Sequence, residues 1–260
     1  MLQTANYPKF LITCLLSLGL LSSCSDENDS ANNGKLSISA SASFTGTTAK
    51  SSTAKMVNAS VDVTDFRVNL KEFELEADLE EMEMEMESES EMENDDSWDD
   101  DGFYDYEDEI ELEGPFELDL MDGQITFINA SIPEGVFEEI EFKFGKSKDP
   151  DSELFDKSIL IKGTIDGVPF IFWHDFEDEV ELDYEDNTVD ITISGTPEGV
   201  VIAFDLAQVF SAAVGVDLTA AQDGNGDGTI EISPSDPDGN NDLAQAIRDR
   251  IKKDMDLLDD

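Results

Sequence analysis

The chain has 260 residues, and 63 aspartates and glutamates against 15 lysines and arginines give it a formal net charge of −48. This charge excludes nucleic acid as an expected partner, because binding a polyanion needs clustered lysine and arginine, and it favours divalent cations. There is one histidine, His174, through which any catalytic triad or two-histidine metal site would have to pass. Sites of these two kinds are therefore not expected, and we expect a protein that is not an enzyme.

The first 23 residues have the features of an export signal. Lys9 supplies a positive charge, and residues 10–21 form an apolar run of about a dozen residues. That run is too short to span a bilayer as a helix, which needs roughly twenty residues. Two serines then precede Cys24, and an acidic stretch, residues 25–27, follows it.

This order of apolar run, small pair and cysteine resembles the lipobox of bacterial lipoproteins. The resemblance implies that Cys24 is acylated and becomes the mature N-terminus. The acidic stretch after Cys24 is similar to the surface-export signals of Bacteroidota-type lipoproteins. We therefore expect a protein attached to the outer membrane through its lipid anchor and exposed at the cell surface. The alternative is an ordinary cleaved signal with an incidental cysteine.

Residues 24–34 are polar and small and predict a tether, and residues 35–205 predict one domain of short strands. Residues 35–44 and 60–75 alternate apolar and polar side chains. From Ile110 the alternation recurs in further short segments separated by turn signals, of which Asp166-Gly167 is the strongest hairpin signal. The pattern predicts a mainly β fold, an antiparallel β-sandwich.

Residues 76–109 interrupt this pattern with a low-complexity run rich in aspartate and glutamate. Dense like charge with few apolar residues is typical of a disordered loop, so we predict a long acidic insertion between two strands. Its methionines resemble the spacing of some copper-binding segments, although a drifting Glu/Met repeat explains them equally: Met82, Met84, Met86 and Met92.

Residues 206–260 predict a helix, a calcium-type loop and a second helix. Residues 206–214 and 243–258 each place apolar side chains on one helical face. Between them, Asp223, Asn225 and Asp227 occupy positions 1, 3 and 5 of an EF-hand-like calcium loop. Gly228 stands at position 6, where the loop turns sharply, and the carbonyl of Thr229 stands at position 7.

The loop departs from the EF-hand pattern at position 12, where Pro234 replaces the usual glutamate. We expect a later or neighbouring acid to complete the ligand set, with Glu231, Asp236 and Asp238 as candidates. Calcium is the predicted cofactor, and its predicted role is to stabilise the fold. The alternative is an Asp/Gly-rich turn that binds no ion.

Residues 36–204 resemble domains found in Bacteroidota lipoproteins, the domain of unknown function 4382. Residues 114–120 and 132–140 carry the likeness. It implies a β-sandwich of immunoglobulin or transthyretin type, and no activity. We therefore expect a surface binding or structural module, with carbohydrate or another cell-surface component as its ligand class. The alternatives are a divalent-cation-binding protein that uses the acidic tract and, third, an acid-pair hydrolase such as a glycosidase.

Overall fold

The structure is a computed structural model that describes residues 33–44, 59–77, 109–182, 190–211, 213–235 and 237–259. All of these residues belong to one unit, residues 31–260. The export signal, Cys24 and its tether up to residue 32, the body of the acidic tract at residues 78–108, and Asp236 lie outside the described residues.

The described residues form two β-sheets and a short helical part. The strands are β1 (Asn33–Ser43), β2 (Val61–Ala77), β3 (Glu109–Leu112), β4 (Phe116–Asp119), β5 (Ile125–Pro133), β6 (Gly135–Phe144), β7 (Ile159–Ile165), β8 (Val168–His174), β9 (Glu179–Leu182), β10 (Ile191–Ile193), β11 (Glu198–Asp205), β12 (Ile230–Ile232) and β13 (Met255–Asp259). The helices are α1 (Leu206–Val209) and α2 (Asn241–Lys253), with 3₁₀ turns at Leu120–Asp122 and Leu218–Ala220.

Strand β2 organises the larger sheet. Its first half pairs with β7 and β4, and its second half pairs with β6 and β3, all antiparallel. The nine-stranded sheet has the order β10–β6–β2–β7–β8–β12, and β9 is added beside β6. Because β2 and β3 are antiparallel neighbours, the acidic tract connects two strands that pair directly, with Glu76 opposite Glu109.

The second sheet has four strands in the order β13–β11–β1–β5. Its apolar face packs against that of the larger sheet. Phe204 on β11 contacts Phe66 on β2 edge to face, with ring centroids 5.5 Å apart, and both rings are buried. Buried aromatic contacts of this kind join the sheets into one core. The predicted mainly β, sandwich-like fold is confirmed.

Two strand pairs are parallel, β1 with β11 and β8 with β12, whereas all other pairs of named strands in the described residues are antiparallel. Local alternation does not distinguish these cases, because the partner strand is distant in the sequence. The predicted hairpin at Asp166-Gly167 is confirmed. Both residues have positive φ, 51° and 84°, which is what the preferred two-residue hairpin turn requires.

The C-terminal segment is less helical than the sequence predicts. Helix α1 ends at Val209 rather than at residue 214, and α2 ends at Lys253 rather than at residue 258. Met255–Asp259 instead forms β13, which pairs with β11. The apolar residues of this segment fit strand alternation as well as a helical face, and pairing with the exposed edge of β11 favours the strand. Within α2, Ala244, Ile247 and Ile251 form the buried face.

Candidate calcium loop and acidic sheet face

The predicted calcium loop closes on the side chain of Asp223. Its Oδ1 accepts hydrogen bonds from the backbone N–H groups of Gly226 and Asp227, at 2.7 and 3.1 Å. Its Oδ2 accepts from the N–H of Gly228 at 2.8 Å. One carboxylate at position 1 therefore holds the backbone of positions 4 to 6 around itself, which is the compact turn expected of this sequence pattern.

The next two predicted ligands each fix a short turn. The Oδ1 of Asn225 accepts from the N–H of Asp227 at 2.8 Å, and the Oδ1 of Asp227 accepts from the N–H of Thr229 at 2.9 Å. Gly226 and Gly228 have φ values of 78° and 95°, in the left-handed region that favours glycine. The Asn-Gly-Asp-Gly run is thus explained by backbone geometry, and it brings three oxygen-bearing side chains into one exposed loop.

Asp238 is the later acid that folds back onto this loop. Its carboxylate is buried, with 3% of the residue exposed, and it accepts from the N–H of Asn225 at 3.0 Å and of Glu231 at 2.8 Å. The backbone of Asp238 also packs against Gly224, where an added Cβ would lie 2.4 Å from the Asp238 carbonyl oxygen. Asp238 therefore ties the start of the loop to β12.

Asn240 is a buried residue that holds the loop and that the sequence did not predict. Its side-chain amide donates to the carbonyl oxygens of Gln222 and Glu231 at 2.8 and 2.7 Å, and its Oδ1 accepts from the N–H of Gln222 at 3.2 Å. Asn240 stands at the N-cap position of α2 but makes no side-chain cap bond there. The residue instead clamps the two ends of the loop. Only its place directly before the helix hinted at a role.

The remaining predicted ligands are placed as follows. Thr229, whose backbone carbonyl is the predicted ligand, is half-buried just before β12. Glu231 lies within β12, and its backbone N–H donates to the carboxylate of Asp238. Asp236 is outside the described residues. The carboxylate oxygens of Asp223, Asp227 and Asp238 do not all lie within 4.8 Å of one another. In the described residues, one other group of acids on the larger sheet has this close spacing. The carboxylates of Asp223, Asp227 and Asp238 instead accept hydrogen bonds from backbone N–H groups of the loop and of β12.

That other group lies on the larger sheet. The carboxylate oxygens of Glu76 on β2 and of Glu139 and Glu141 on β6 are all within 4.8 Å of one another. The strand register explains the approach, because Glu76 stands directly opposite Glu139 and Glu74 opposite Glu141. Exposed acidic groups at this spacing are common on proteins, and nothing else in the structure points to an ion there. The group is therefore not assigned as a metal site.

His174, at the end of β8, is a buried structural residue. Its Nδ1 accepts from the backbone N–H groups of Asp175 and Phe176 at 2.9 and 3.1 Å, and its Nε2 lies 3.1 Å from the side-chain amide of Gln245. Burial lowers the pKa of the imidazole below its usual 6.5. A neutral ring that accepts two N–H bonds holds the turn after β8 and contacts helix α2.

An open polar cleft of about 460 Å³ lies where β9, α1, α2 and β13 meet. Its lining combines charges of both signs with two apolar side chains. Lys252 and Lys253 face Glu181, Asp205, Asp254 and Asp256, beside Leu182 and Met255. Lys252 is paired with Asp178 at 3.1 Å, so part of the positive charge is already neutralised.

In the part of the chain that the structure describes, no helix is both long enough and apolar enough to cross a membrane. No family model, curated protein or solved structure matches this chain. The resemblance to Bacteroidota lipoprotein domains therefore stays a prediction.

Proposed function

We propose that this chain is a lipid-anchored cell-surface protein whose β-sandwich acts as a binding or structural module, stabilised by one calcium ion in the loop 223–238. The observation that carries the calcium proposal is the buried carboxylate of Asp238, which joins the start of the loop to β12. The sequence pattern has Pro234 at position 12 in place of the usual glutamate, and Asp238 supplies an acid after that position.

The chemistry of the donor set fits calcium. Calcium takes six to eight oxygen ligands from carboxylates, amide oxygens and backbone carbonyls. Asp223, Asn225, Asp227 and Asp238 offer such oxygens. An oxygen that accepts one N–H bond, as Oδ2 of Asp223 and Oδ1 of Asn225 and Asp227 do, has a second lone pair that a metal can share. The ion would also offset the mutual repulsion of three carboxylates in one short loop.

The expected consequence is stability rather than catalysis. The loop leads directly into β12, which extends the larger sheet beside β8, and α2 packs against both strands. An ion that binds only the folded loop stabilises the fold by mass action, by about 2.7 kcal/mol at a calcium concentration one hundred times the Kd. Calcium would thus fasten the C-terminal helix to the sandwich.

The test is calcium titration by calorimetry, paired with thermal unfolding in calcium and in EDTA. The informative variant is Asp227→Asn, because an asparagine oxygen can still accept the N–H of Thr229 while the charge is lost. The matched control is Asp151→Asn, an exposed aspartate in the loop before β7. We expect one saturable site and a calcium-dependent rise in Tm, both weakened in Asp227→Asn, which removes one charge but keeps an oxygen ligand, and both kept in Asp151→Asn.

The acidic tract is the second candidate, and one observation favours it. Its two ends are paired across β2 and β3 at Glu76 and Glu109, beside a sheet face already rich in glutamate. If the acidic tract binds the cations, a deletion of residues 78–107 should remove many weak calcium sites, and Asp227→Asn should not change calcium binding. If the loop is the site, the same deletion should leave the single saturable site intact.

Carbohydrate is the ligand class that we propose for the module, on the architecture alone. Glycan-array binding to the full chain and to the 78–107 deletion tests it. Saturable binding that survives the deletion supports a glycan-binding sandwich. Absence of binding on the array would remove the glycan and leave the structural role.

A further inference from the structure

Four neighbouring strands of the larger sheet bring glutamates into two aligned rows. Across β3, β2, β6 and β9 the first row consists of Glu111, Glu74, Glu141 and Glu181, each directly opposite the next. In the second row Glu109, Glu76 and Glu139 are opposite one another across β3, β2 and β6. Directly opposed residues share one face of a sheet, so these strands present like charges at close range, an arrangement that destabilises strand pairing.

The register cannot shift to relieve this repulsion. Between the two rows stands an apolar row that faces the core, in which Leu75 and Ile140 are fully buried and Leu182 is 7% exposed. A slip of one residue would turn these apolar side chains to the solvent and the glutamates to the core. The buried row therefore holds the glutamates opposite one another.

Positive charge is concentrated at one end of this face. Lys143 pairs with Glu72 and Glu179 at 3.1 and 3.2 Å, and Lys71 pairs with Glu72 at 2.9 Å. Within the described residues, no lysine or arginine forms an ion pair with Glu76 or Glu139. Their carboxylate oxygens instead lie within 4.8 Å of one another. Two carboxylates at this distance repel each other, and a proton on one of them relieves the repulsion.

We infer that the opposed glutamates form a proton-dependent contact between β2 and β6. Glu76 and Glu139 share one proton in the folded chain, and the pairing of the two strands weakens when that proton is lost. This contact lies beside the end of β2 at Ala77, after which the chain continues into the acidic tract. A rise in pH would thus loosen the end of the sheet to which the tract is attached.

The electrostatics of the neighbouring groups support the shared proton. Burial raises the pKa of Glu139 to about 7, helped by the hydrogen bond with Glu76 and the charges of Glu141, Glu76 and Glu181. Burial likewise raises the pKa of Glu141, together with a hydrogen bond to Glu179 and the charges of Glu179, Glu181 and Glu74. The charged groups of β2, β6 and β9 on the face of Glu139 are therefore mostly acids, with Lys71 and Lys143 as the exceptions at one end of the face.

The sign of the effect is opposite to ordinary acid unfolding. Because the folded pKa of Glu139 lies above the unfolded value of 4.5, the folded chain holds more protons between about pH 4.5 and 7. The stabilising contribution is complete below pH 4.5 and is lost as the pH rises through about 7. Glu139→Gln, which is neutral and can still bond to Glu76, should remove this dependence.

The test compares unfolding of the full chain, in EDTA, from pH 5 to pH 8. Between pH 5 and pH 8 the unfolding equilibrium constant of the wild type should rise at least about tenfold more than that of Glu139→Gln. The matched control is Glu134→Gln, also half-buried but in the turn before β6, which should follow the wild type. Comparing variants cancels the other titrating groups, including His174.

A second measurement keeps the inference testable if a variant fails to fold. Carboxyl-carbon NMR of the wild type should show a glutamate that titrates near pH 7, and Glu76→Gln should lower that midpoint from the opposite strand. Hydrogen exchange, corrected for intrinsic rates, should show β2 residues 73–77 opening more at pH 8 than at pH 6, with β7 unchanged. A wild-type pH slope in Glu139→Gln, or titration of every glutamate below pH 5.5, would overturn the inference.

Discussion

The clamp formed by Asn240 gives the sharpest test of how the C-terminal loop is held. Asn240 is 3% exposed and makes two donor bonds, to the carbonyls of Gln222 and Glu231, and one acceptor bond, from the N–H of Gln222. Each such bond contributes about 1 kcal/mol net, and more when its partner is left buried and unsatisfied. Asn240→Ala should therefore lower the free energy of unfolding by about 3 kcal/mol.

The informative comparison is Asn240→Asp, which keeps the shape of the side chain. An aspartate can still accept the N–H of Gln222, but it turns two donor bonds into contacts between a carboxylate and two carbonyl oxygens. It also places a new charge near the buried Asp238. We expect Asn240→Asp to be at least as destabilising as Asn240→Ala at pH 7, and to recover part of the loss on acidification as the new carboxyl gains a proton.

Urea unfolding at constant m-value, in EDTA, measures both effects. If side-chain volume rather than hydrogen bonding holds the loop, Asn240→Asp will match the wild type to within about 0.5 kcal/mol, the range of a neutral substitution. That result would refute the clamp. Unequal changes in the m-value would instead mean that the substitutions alter the extent of unfolding.

Three further predictions address the sheet, the histidine and the anchor. Gly163→Ala should cost about 2–3 kcal/mol, because its Cβ would lie 1.9 Å from the carbonyl oxygen of Asp62, whereas Gly195→Ala, with its nearest atom at 3.9 Å, should be neutral in the same denaturation assay. The lone imidazole of His174 should titrate below 6.5 by NMR, so its contribution to stability is present above pH 6.5 and declines as the pH falls; a midpoint at or above 6.5 would contradict its burial. Cys24→Ser should abolish labelling by radioactive palmitate and move the protein from the membrane to the soluble fraction, and unchanged labelling would exclude Cys24 as the acylated residue.

Most of the sandwich could be predicted from alternation and turn chemistry. The hairpin at Asp166-Gly167 is local, since both residues adopt the positive φ values that the pair is suited to. The parallel pairing of β1 with β11 could not be predicted, because neither strand carries information about a partner some 160 residues away. The end of α2 at Lys253 has the same cause, since Met255–Asp259 becomes a strand only where β11 offers an edge.

The candidate calcium loop could be predicted in part from the sequence, whereas the acid that packs onto it and the glutamate rows could not. The spacing of Asp223, Asn225, Asp227 and Gly228 predicts a tight loop, and the backbone bonds within it are local consequences of that spacing. The choice of Asp238 as the returning acid depends on packing around Gly224. The glutamate rows were hidden in the sequence, because opposition of Glu76 and Glu139 exists only once the register of β2 on β6 is known.

The smaller sheet also constrains the order in which this chain can fold. Its strand β11 lies between β1 and β13, which are the first and last strands in the described residues. The sheet therefore gains β13 only after Met255–Asp259 has left the ribosome, about 50 to 60 residues after its partner strand β11. A chain arrested before that point would leave the edge of β11, from Val200 to Phe204, open to pairing with other chains. Premature termination should thus yield aggregation rather than a smaller folded protein.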